Sequence, residues 1–220
     1  YLVARLYVMF SIDPLPLAVV GVIGGVTSLY AGILGIAAND IKKVLAYSTI
    51  SQLGLMMLAL GLRLPSTAMM YLYGHAFSKA LMFLSAGAVI HTLGTRNMLH
   101  MGGLSRKMKV SYISMIIGGL SLMGIPPLSL FFVKEPMLED AFGKDNLLFL
   151  LGVLSSFFTA LYWMRMLQLT FLDKPRSKEA EEAEAENMIM KIPMYGFMIL
   201  TIVFGIVATL FNLPSLIGNG

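Results

Sequence analysis

The stretch STAMMYLYGHAFSKALMFLSAGAVIHTL (residues 66–93) is an apolar run of membrane-spanning length with a lysine, Lys79, at its middle. A second lysine, Lys134, lies in another apolar run, shortly after the pair Pro126–Pro127. A charge at the centre of a bilayer costs about 2.5–3.5 kcal/mol on insertion scales, so such residues face a protein interior or a wet cavity. The two lysines therefore indicate an ion or proton path.

The composition is that of a membrane protein. Of the 220 residues, 57% are hydrophobic and 13% are charged, a balance that soluble domains of this length do not show. Apolar stretches of about 20 residues recur, and each can cross a hydrocarbon core about 30 Å thick. Barrel strands would be about ten residues long with alternating polarity, so the lengths favour helices. We predict an all-α fold with spans at 14–38, 43–62, 66–93, 111–140 (broken near Pro126), 146–172 and 193–217.

The order of these spans predicts the domain organisation. Residues 1–10 are too short to cross a bilayer and look like the end of a preceding transmembrane helix. Because the sequence opens on Tyr1 rather than methionine, we expect it to be a piece of a longer protein. We predict a five-helix unit over 11–172, a charged loop over 173–192 and a final transmembrane helix over 193–220.

The loop charges predict the orientation. Lysine and arginine are concentrated in every second loop, at 39–43, 94–110 and 173–192, whereas the intervening loops are poor in them. Short loops rich in lysine and arginine stay on the cytoplasmic side. We therefore predict a multi-pass protein of the cell (inner) membrane with these three loops in the cytoplasm and Asp13 and Gly220 on the opposite side.

Two further patterns have ordinary structural interpretations. The segment SKEAEEAEAEN (177–187) predicts disorder or a solvated helix, with a specific docking surface as the alternative. Glycine patches at 21–25 and 118–119 favour close approach between membrane helices rather than ligand binding.

Several kinds of chemistry are excluded or find no support in the sequence. The absence of cysteine excludes disulfides, iron–sulfur clusters and thiol chemistry within this chain. We find no phosphate loop, dinucleotide fingerprint or metal-ligand cluster, so we predict no metal and no cofactor. The net charge of +4 comes from short loops between spans and does not indicate nucleic acid. The lipid bilayer is the expected surrounding.

The first candidate site is centred on Lys79. Tyr71, His75 and Lys79 are spaced four apart, so they share one face of a helix, and Ser78 adjoins them. Burial disfavours the charged form of a lysine and so suits it to proton exchange. A neighbouring histidine titrates near physiological pH and can relay a proton. The alternative is a structural lysine that donates to a backbone carbonyl.

The second candidate site is centred on Lys134. Two consecutive prolines remove two backbone donors, which predicts two half-helices with freed carbonyls near Leu122 and Met123. Irregular backbone at membrane depth persists only in a protein interior or beside a watery cavity. Glu135 could compensate the charge of Lys134. Because adjacent helical residues point about 100° apart, it could instead pair with a neighbouring helix or subunit. The alternative is a simple proline kink with a snorkelling lysine.

A third polar strip begins the second span. Ser51 and Gln52 continue it from the loop at 39–43 into the membrane. Such residues commonly hold helices together, so we favour packing and keep a water path as the alternative.

Four motifs resemble the core motifs of the antiporter-like subunit family. They are NDIKKVLAYSTISQLG (39–54), YGHAFSKALMFLSAGAVIH (73–91), MGGLSRKM (101–108) and GIPPLSLFFVKE (124–135). The family comprises proton-pumping subunits of respiratory complex I, large subunits of Mrp-type sodium/proton antiporters, and pump modules of membrane-bound hydrogenases and related reductases. The resemblance implies two inverted five-helix repeats in the family, of which this chain is similar to the second plus one further helix.

The resemblance also implies roles for the candidate residues. Lys79 is similar to the central-axis lysine that passes protons between half-channels, His75 to its companion, and Lys134 to the lysine near the outlet. Glu135 matches a carboxylate present in some members, and Tyr71 stands where some relatives have a second histidine.

The implied function is proton translocation, with exchange for sodium left open. The partners would be the other membrane subunits of a redox-driven or Mrp-type complex, further antiporter-like subunits among them. The chain would not be catalytic alone. A non-conducting scaffold subunit is the main alternative. A transporter of small solutes would need more convergent polar groups than this sequence offers.

Overall fold

The computed structural model describes the backbone of residues 1–210 and the side chains of residues 1–207. That part of the chain is helical and contains no strand. Its helices are α1 (Leu2–Arg5), α2 (Tyr7–Phe10), α3 (Pro14–Ala37), α4 (Ile41–Gly61), α5 (Pro65–Leu93), α6 (Lys109–Met123), α7 (Phe131–Lys144), α8 (Asn146–Leu167), α9 (Lys178–Glu181) and α10 (Met188–Leu210). A π-helical turn, Gln168–Leu172, extends α8.

Five of these helices are long and apolar enough to cross a membrane: α3, α4, α5, α8 with its π-helical extension, and α10. The predicted all-α membrane fold is therefore confirmed. The last helix begins at Met188 rather than at residue 193, because the side chain of Asn187 accepts a hydrogen bond from Ile189 N (3.2 Å) and caps the helix there. The predicted end of that span and the position of Gly220 lie outside the described residues.

Aspartates begin three of the long helices. The carboxylate of Asp13 accepts from Leu15 N (2.9 Å), that of Asp40 from Lys42 N (2.8 Å), and Asp145 caps α8 in the same way. Each carboxylate satisfies N–H groups that have no partner inside the first turn. These caps fix the short turns between consecutive membrane helices.

The span predicted at 111–140 is two half-helices, as the double proline predicts. Helix α6 ends at Met123, and Gly124 follows it with a positive φ of 79°, which glycine adopts without strain. The connection of residues 124–130 is irregular before α7 begins. Neither half, at 15 and 14 residues, is long enough to span a bilayer alone.

Glycines allow the closest helix contacts, as the sequence predicts. A Cβ atom added to Gly61 of α4 would lie 2.3 Å from the Cα of Gly21 in α3. One added to Gly119 of α6 would lie 1.6 Å from Nε1 of Trp163 in α8. Side chains at these positions would force the helices apart.

The acidic segment 177–187 is folded against the membrane helices at two points. Ala180 is buried, and Glu186 is only 5% exposed because its carboxylate accepts from Ser111 N (2.6 Å) at the start of α6. Lys107 also donates to backbone carbonyls of the segment. The prediction of disorder or a solvated helix is wrong for Ala180 and Glu186. The unsatisfied N–H groups at the N-terminus of α6 account for the docking of the carboxylate.

Candidate functional site

Lys79 is buried within the helix bundle. It lies in α5 with 6% of its surface exposed, and its ammonium group donates to Leu45 O (3.1 Å) and to the hydroxyl of Ser48. Both acceptors belong to the first turns of α4. The hydrogen bond to a backbone carbonyl, which a purely structural lysine would make, is therefore present. The burial that a proton-carrying lysine needs is present as well.

His75 lies one helical turn before Lys79 in α5. It is 5% exposed. Its Nδ1 atom is buried without a hydrogen-bond partner among the described residues. An imidazole in this position can exchange protons with water that enters the site.

Lys134 lies in the first turn of α7, just after the break in the fourth predicted span. It is 4% exposed, and its Nζ donates to Leu122 O at 2.5 Å. That carbonyl belongs to the last turn of α6, where the helix dipole favours a cation. The freed carbonyl predicted near Leu122 is confirmed, and the alternative of a snorkelling lysine is wrong.

Glu135 does not compensate its neighbour. It is exposed, and within residues 1–207 the salt bridges are Lys144–Asp140 and Arg176–Asp173. Of the two alternatives left open for Glu135, an ion pair with Lys134 does not occur within residues 1–207. Pairing with a neighbouring subunit stays a prediction.

Tyr71 shares the helix face of His75 but belongs to a separate hydrogen-bond chain. Its hydroxyl donates to Gln52 Oε1 (2.7 Å), and Gln52 Nε2 donates to Thr159 Oγ1 (3.2 Å). The hydroxyl of Tyr162 in α8 is also buried, and it has no hydrogen-bond partner among the described residues.

The sequence analysis missed the contribution of α8. Ser155, Thr159 and Tyr162 are spaced four and three residues apart, so they share one helix face. That spacing was a detectable signal within an otherwise apolar run.

The remaining predicted serines differ in their surroundings. The Oγ of Ser51 lies 3.1 Å from the Oγ of Ser28 in α3, which supports the packing interpretation. Ser78 adjoins Lys79 and lies 2.8 Å from Ser121 of α6. Ser78 therefore connects α5, which contains Lys79, with α6, whose Leu122 carbonyl accepts a hydrogen bond from Lys134.

Two open cavities lie near the candidate residues, and one of them is lined by a candidate lysine. The first, of about 820 Å³, lies where α3 and α5 end and α4 begins, and its lining includes Asp40, Lys43 and Tyr47, the residue before Ser48. The other, of about 550 Å³, is lined by Lys134 and Glu135. No group of three or more histidine, aspartate or glutamate side chains that could hold a metal occurs in the described part of the chain.

A helix broken at mid-length, with one buried lysine in its second half and another in the preceding long helix α5, defines a multi-pass membrane protein of the antiporter-like class. Comparison with known proteins agrees. The chain belongs to the family described as NADH:quinone oxidoreductase/Mrp antiporter, TM, whose model matches residues 1–159.

Relatives of known name include subunits of respiratory enzymes. The chain is 40% identical to NADH-quinone oxidoreductase subunit L of Rickettsia bellii over 88% of its own length and 30% of that protein. It is 41% identical to F(420)H(2) dehydrogenase subunit L of Methanosarcina mazei, over 93% of this chain and 33% of that one. The chain thus spans about a third of these relatives.

Solved structures share the fold. A chain of the Mrp complex from Dietzia sp. superposes with a TM-score of 0.85 at 21% identity, covering 96% of this chain and 48% of that one. A chain of the archaeal membrane-bound sulfane sulfur reductase superposes with a TM-score of 0.77 at 29% identity, covering 86% and 32%.

Proposed function

We propose that this chain translocates protons across the membrane as an antiporter-like subunit of a redox-driven or Mrp-type complex. One observation carries the proposal: two buried ammonium groups are held by neutral oxygens alone among the described residues. Neutral acceptors stabilise an ammonium group without fixing its charge as a buried carboxylate would. Lys79 and Lys134 are therefore suited to gain and lose protons.

The proposed mechanism is electrostatic. We take the two ammonium groups to lie about 10 Å apart; at an effective dielectric constant near 20 they would then repel each other by about 1.7 kcal/mol, more than a tenfold change in proton affinity. A proton that arrives at Lys79 therefore favours release of a proton from Lys134. His75, one helical turn before Lys79 and with a buried Nδ1 atom that has no partner among the described residues, is the proposed relay.

The two cavities supply the access that this mechanism needs. The larger cavity opens at the basic loops, which we place on the cytoplasmic side of the cell (inner) membrane. Its lining includes Tyr47, which precedes the hydroxyl acceptor of Lys79, so we propose that protons reach Lys79 from this side. The smaller cavity gives Lys134 its own route to the surface. Tyr71, Gln52 and the hydroxyls of α8 would support water beside Lys79.

The partners we propose are other membrane subunits, including further antiporter-like chains. Relatives in the family are named as subunits of NADH-quinone oxidoreductase and F(420)H(2) dehydrogenase, and the fold occurs in an Mrp complex. The transported ion would be the proton, and whether it is exchanged for sodium is left open in this proposal. The chain would contribute to a redox reaction only through such a complex.

The test is proton uptake by membrane vesicles that contain the assembled complex, with Lys79→Ala and Lys134→Ala compared with the unaltered complex. Each variant should lose coupled transport while the complex still assembles. Lys144→Ala is the matched control, because Lys144 is exposed and paired with Asp140. It should transport normally.

The same transport measurement distinguishes the proposed function from the main alternative. A non-conducting scaffold subunit predicts normal transport in both buried-lysine variants and loss of assembly when loop 94–110 is altered. Normal transport in Lys79→Ala and Lys134→Ala together would overturn the proposed function.

A further inference from the structure

Three buried serines join α5, which carries Lys79, to α6 and to the break that precedes α7, the half-helix of Lys134. Ser78 lies in α5, Ser121 in α6 and Ser129 in the break, and all three are fully buried. The Oγ atoms of Ser78 and Ser121 are 2.8 Å apart, as are those of Ser121 and Ser129. Ser78 Oγ also donates to Gly74 O at 2.9 Å. We call these three residues the serine clasp.

The proton of each hydroxyl can be assigned from these contacts. A serine has one hydroxyl proton, and a carbonyl can only accept. Ser78 must therefore give its proton to Gly74 O, Ser121 must donate to Ser78, and Ser129 must donate to Ser121. Every contact then has one proton. The chain ends on a backbone carbonyl, which cannot pass a proton onward, so the clasp is not a proton wire.

The clasp is adjacent to both lysine sites along the chain. Ser78 precedes Lys79, and Ser121 precedes Leu122, whose carbonyl accepts from Lys134. The clasp therefore ties the backbone beside one ammonium group to the acceptor of the other.

Close backbone packing leaves the clasp little freedom. A Cβ atom added to Gly118 of α6 would lie 3.0 Å from Ser78 O, and one added to Gly74 would lie 3.4 Å from the Oγ of Ser129. Helices α5 and α6 and the irregular connection of residues 124–130 come together at these three serines. Small side chains are needed for the hydroxyls to reach each other.

We propose that the serine clasp positions the Leu122 carbonyl for Lys134 and so fixes the spacing between the two ammonium groups. Ser121 is the central positioning residue, because it both donates and accepts within the clasp. The inference rests on the proposed function, since it concerns the same two lysines. In this proposal the serines position the acceptor of Lys134 and do not transfer protons themselves.

The test compares Ser121→Ala with Ser85→Ala in vesicles of the assembled complex. Ser85 is also fully buried, and its Oγ donates to Ser111 O (2.7 Å) between the same two helices, away from the break. Ser121→Ala should lower transport about three- to tenfold, because it removes two buried hydrogen bonds. Ser85→Ala should stay near the unaltered rate.

The pH profile separates positioning from general packing. If Lys134 loses a well-placed acceptor, its ammonium group holds the proton less firmly, so the transport profile of Ser121→Ala should move toward acidic pH. Ser85→Ala should leave the profile in place. Ser121→Thr, which restores a hydroxyl, should recover part of the rate and profile.

Ser129→Ala covers the case in which Ser121→Ala fails to assemble. It removes the first donor of the clasp and leaves the bond between Ser121 and Ser78, so a smaller loss with the same acidic shift is expected. Unchanged transport and pH profile in these variants would overturn the clasp, as would equal losses in Ser85→Ala.

Failure of the clasp can be told apart from failure of the proposed function. If Lys79→Ala and Lys134→Ala abolish transport while the clasp variants behave normally, the clasp alone is wrong. If the lysine variants transport normally, the proposed function itself is wrong.

Discussion

Lys79 and Lys134 carry the same charge at similar burial, yet the backbone supplies their acceptors differently. Lys79 reaches into the intact helix α4, where Leu45 O already accepts from the hydroxyl of Thr49 (2.9 Å). A second acceptor, the hydroxyl of Ser48, supplements it. Lys134 instead binds Leu122 O, a carbonyl in the last turn of a half-helix.

The difference shows two ways to hold a cation inside a membrane protein. An intact helix offers only carbonyls that its own hydrogen bonds use, so a side-chain hydroxyl must contribute. A broken helix offers carbonyls without intrahelical partners at the negative end of its dipole, and it needs a glycine to turn the chain. The two sites should therefore depend on different neighbours.

The largest effect is expected from arginine at either lysine position. Lys79→Arg and Lys134→Arg keep a positive charge, but arginine does not lose its proton in proteins. Transport should fall about a hundredfold, to the level of the alanine variants, in vesicle assays of proton uptake. If one arginine variant still transports, that site serves as a fixed charge, and only the other carries protons.

A smaller loss is expected when Lys79 loses its hydroxyl acceptor. Ser48→Ala should lower transport about tenfold, because hydrogen bonds to charged groups contribute about 1.5–3 kcal/mol. Ser51→Ala is the control on the same helix, since Ser51 pairs with Ser28 rather than with the lysine. Equal rates in the two variants would contradict the role given to Ser48.

The corresponding change at the other site is Gly124→Ala. Gly124 has a φ of 79°, and an added Cβ atom would lie 3.1 Å from Cδ of Lys134. The left-handed conformation costs a side-chain-bearing residue about 1–2 kcal/mol, so transport and thermal stability should both fall moderately. Gly87→Ala is the control, because nothing lies within 4 Å of its added Cβ. A stable, fully active Gly124→Ala complex would show that the turn does not hold Lys134.

The smallest effect is expected at Glu135. Its side chain is exposed and has no ion pair with Lys134 in the described structure. Glu135→Gln should change transport by less than about twofold, because exposed charges contribute little. A loss as large as that of Lys134→Ala would instead indicate that Glu135 pairs with another subunit.

The sequence carries the information for the helices and for the break. Uniform apolar runs predict α3, α4, α5 and α8, and the prolines at 126–127 predict both the break and the free carbonyl near Leu122. These features are local, because chain length, proline chemistry and helix geometry determine them.

Which helices meet cannot be read from one sequence in the same way. Tyr71 shares a helix face with His75 and Lys79, but its hydroxyl donates to Gln52 because α4 packs against α5 and, on another side, against α8. Glu186 was missed because its surroundings in the sequence are polar throughout. Only tertiary packing brings its carboxylate to the start of α6.

Helix α6 is anchored at both ends by groups from elsewhere in the fold. Glu186 of the acidic segment binds its first turn, and Lys134 binds its last. At 15 residues, the helix is a stiff rod about 22 Å long. These two contacts make α6 a rigid connection between the acidic segment and the carbonyl that accepts from Lys134, so a displacement of the segment would be transmitted along the helix to the acceptor of the buried ammonium group.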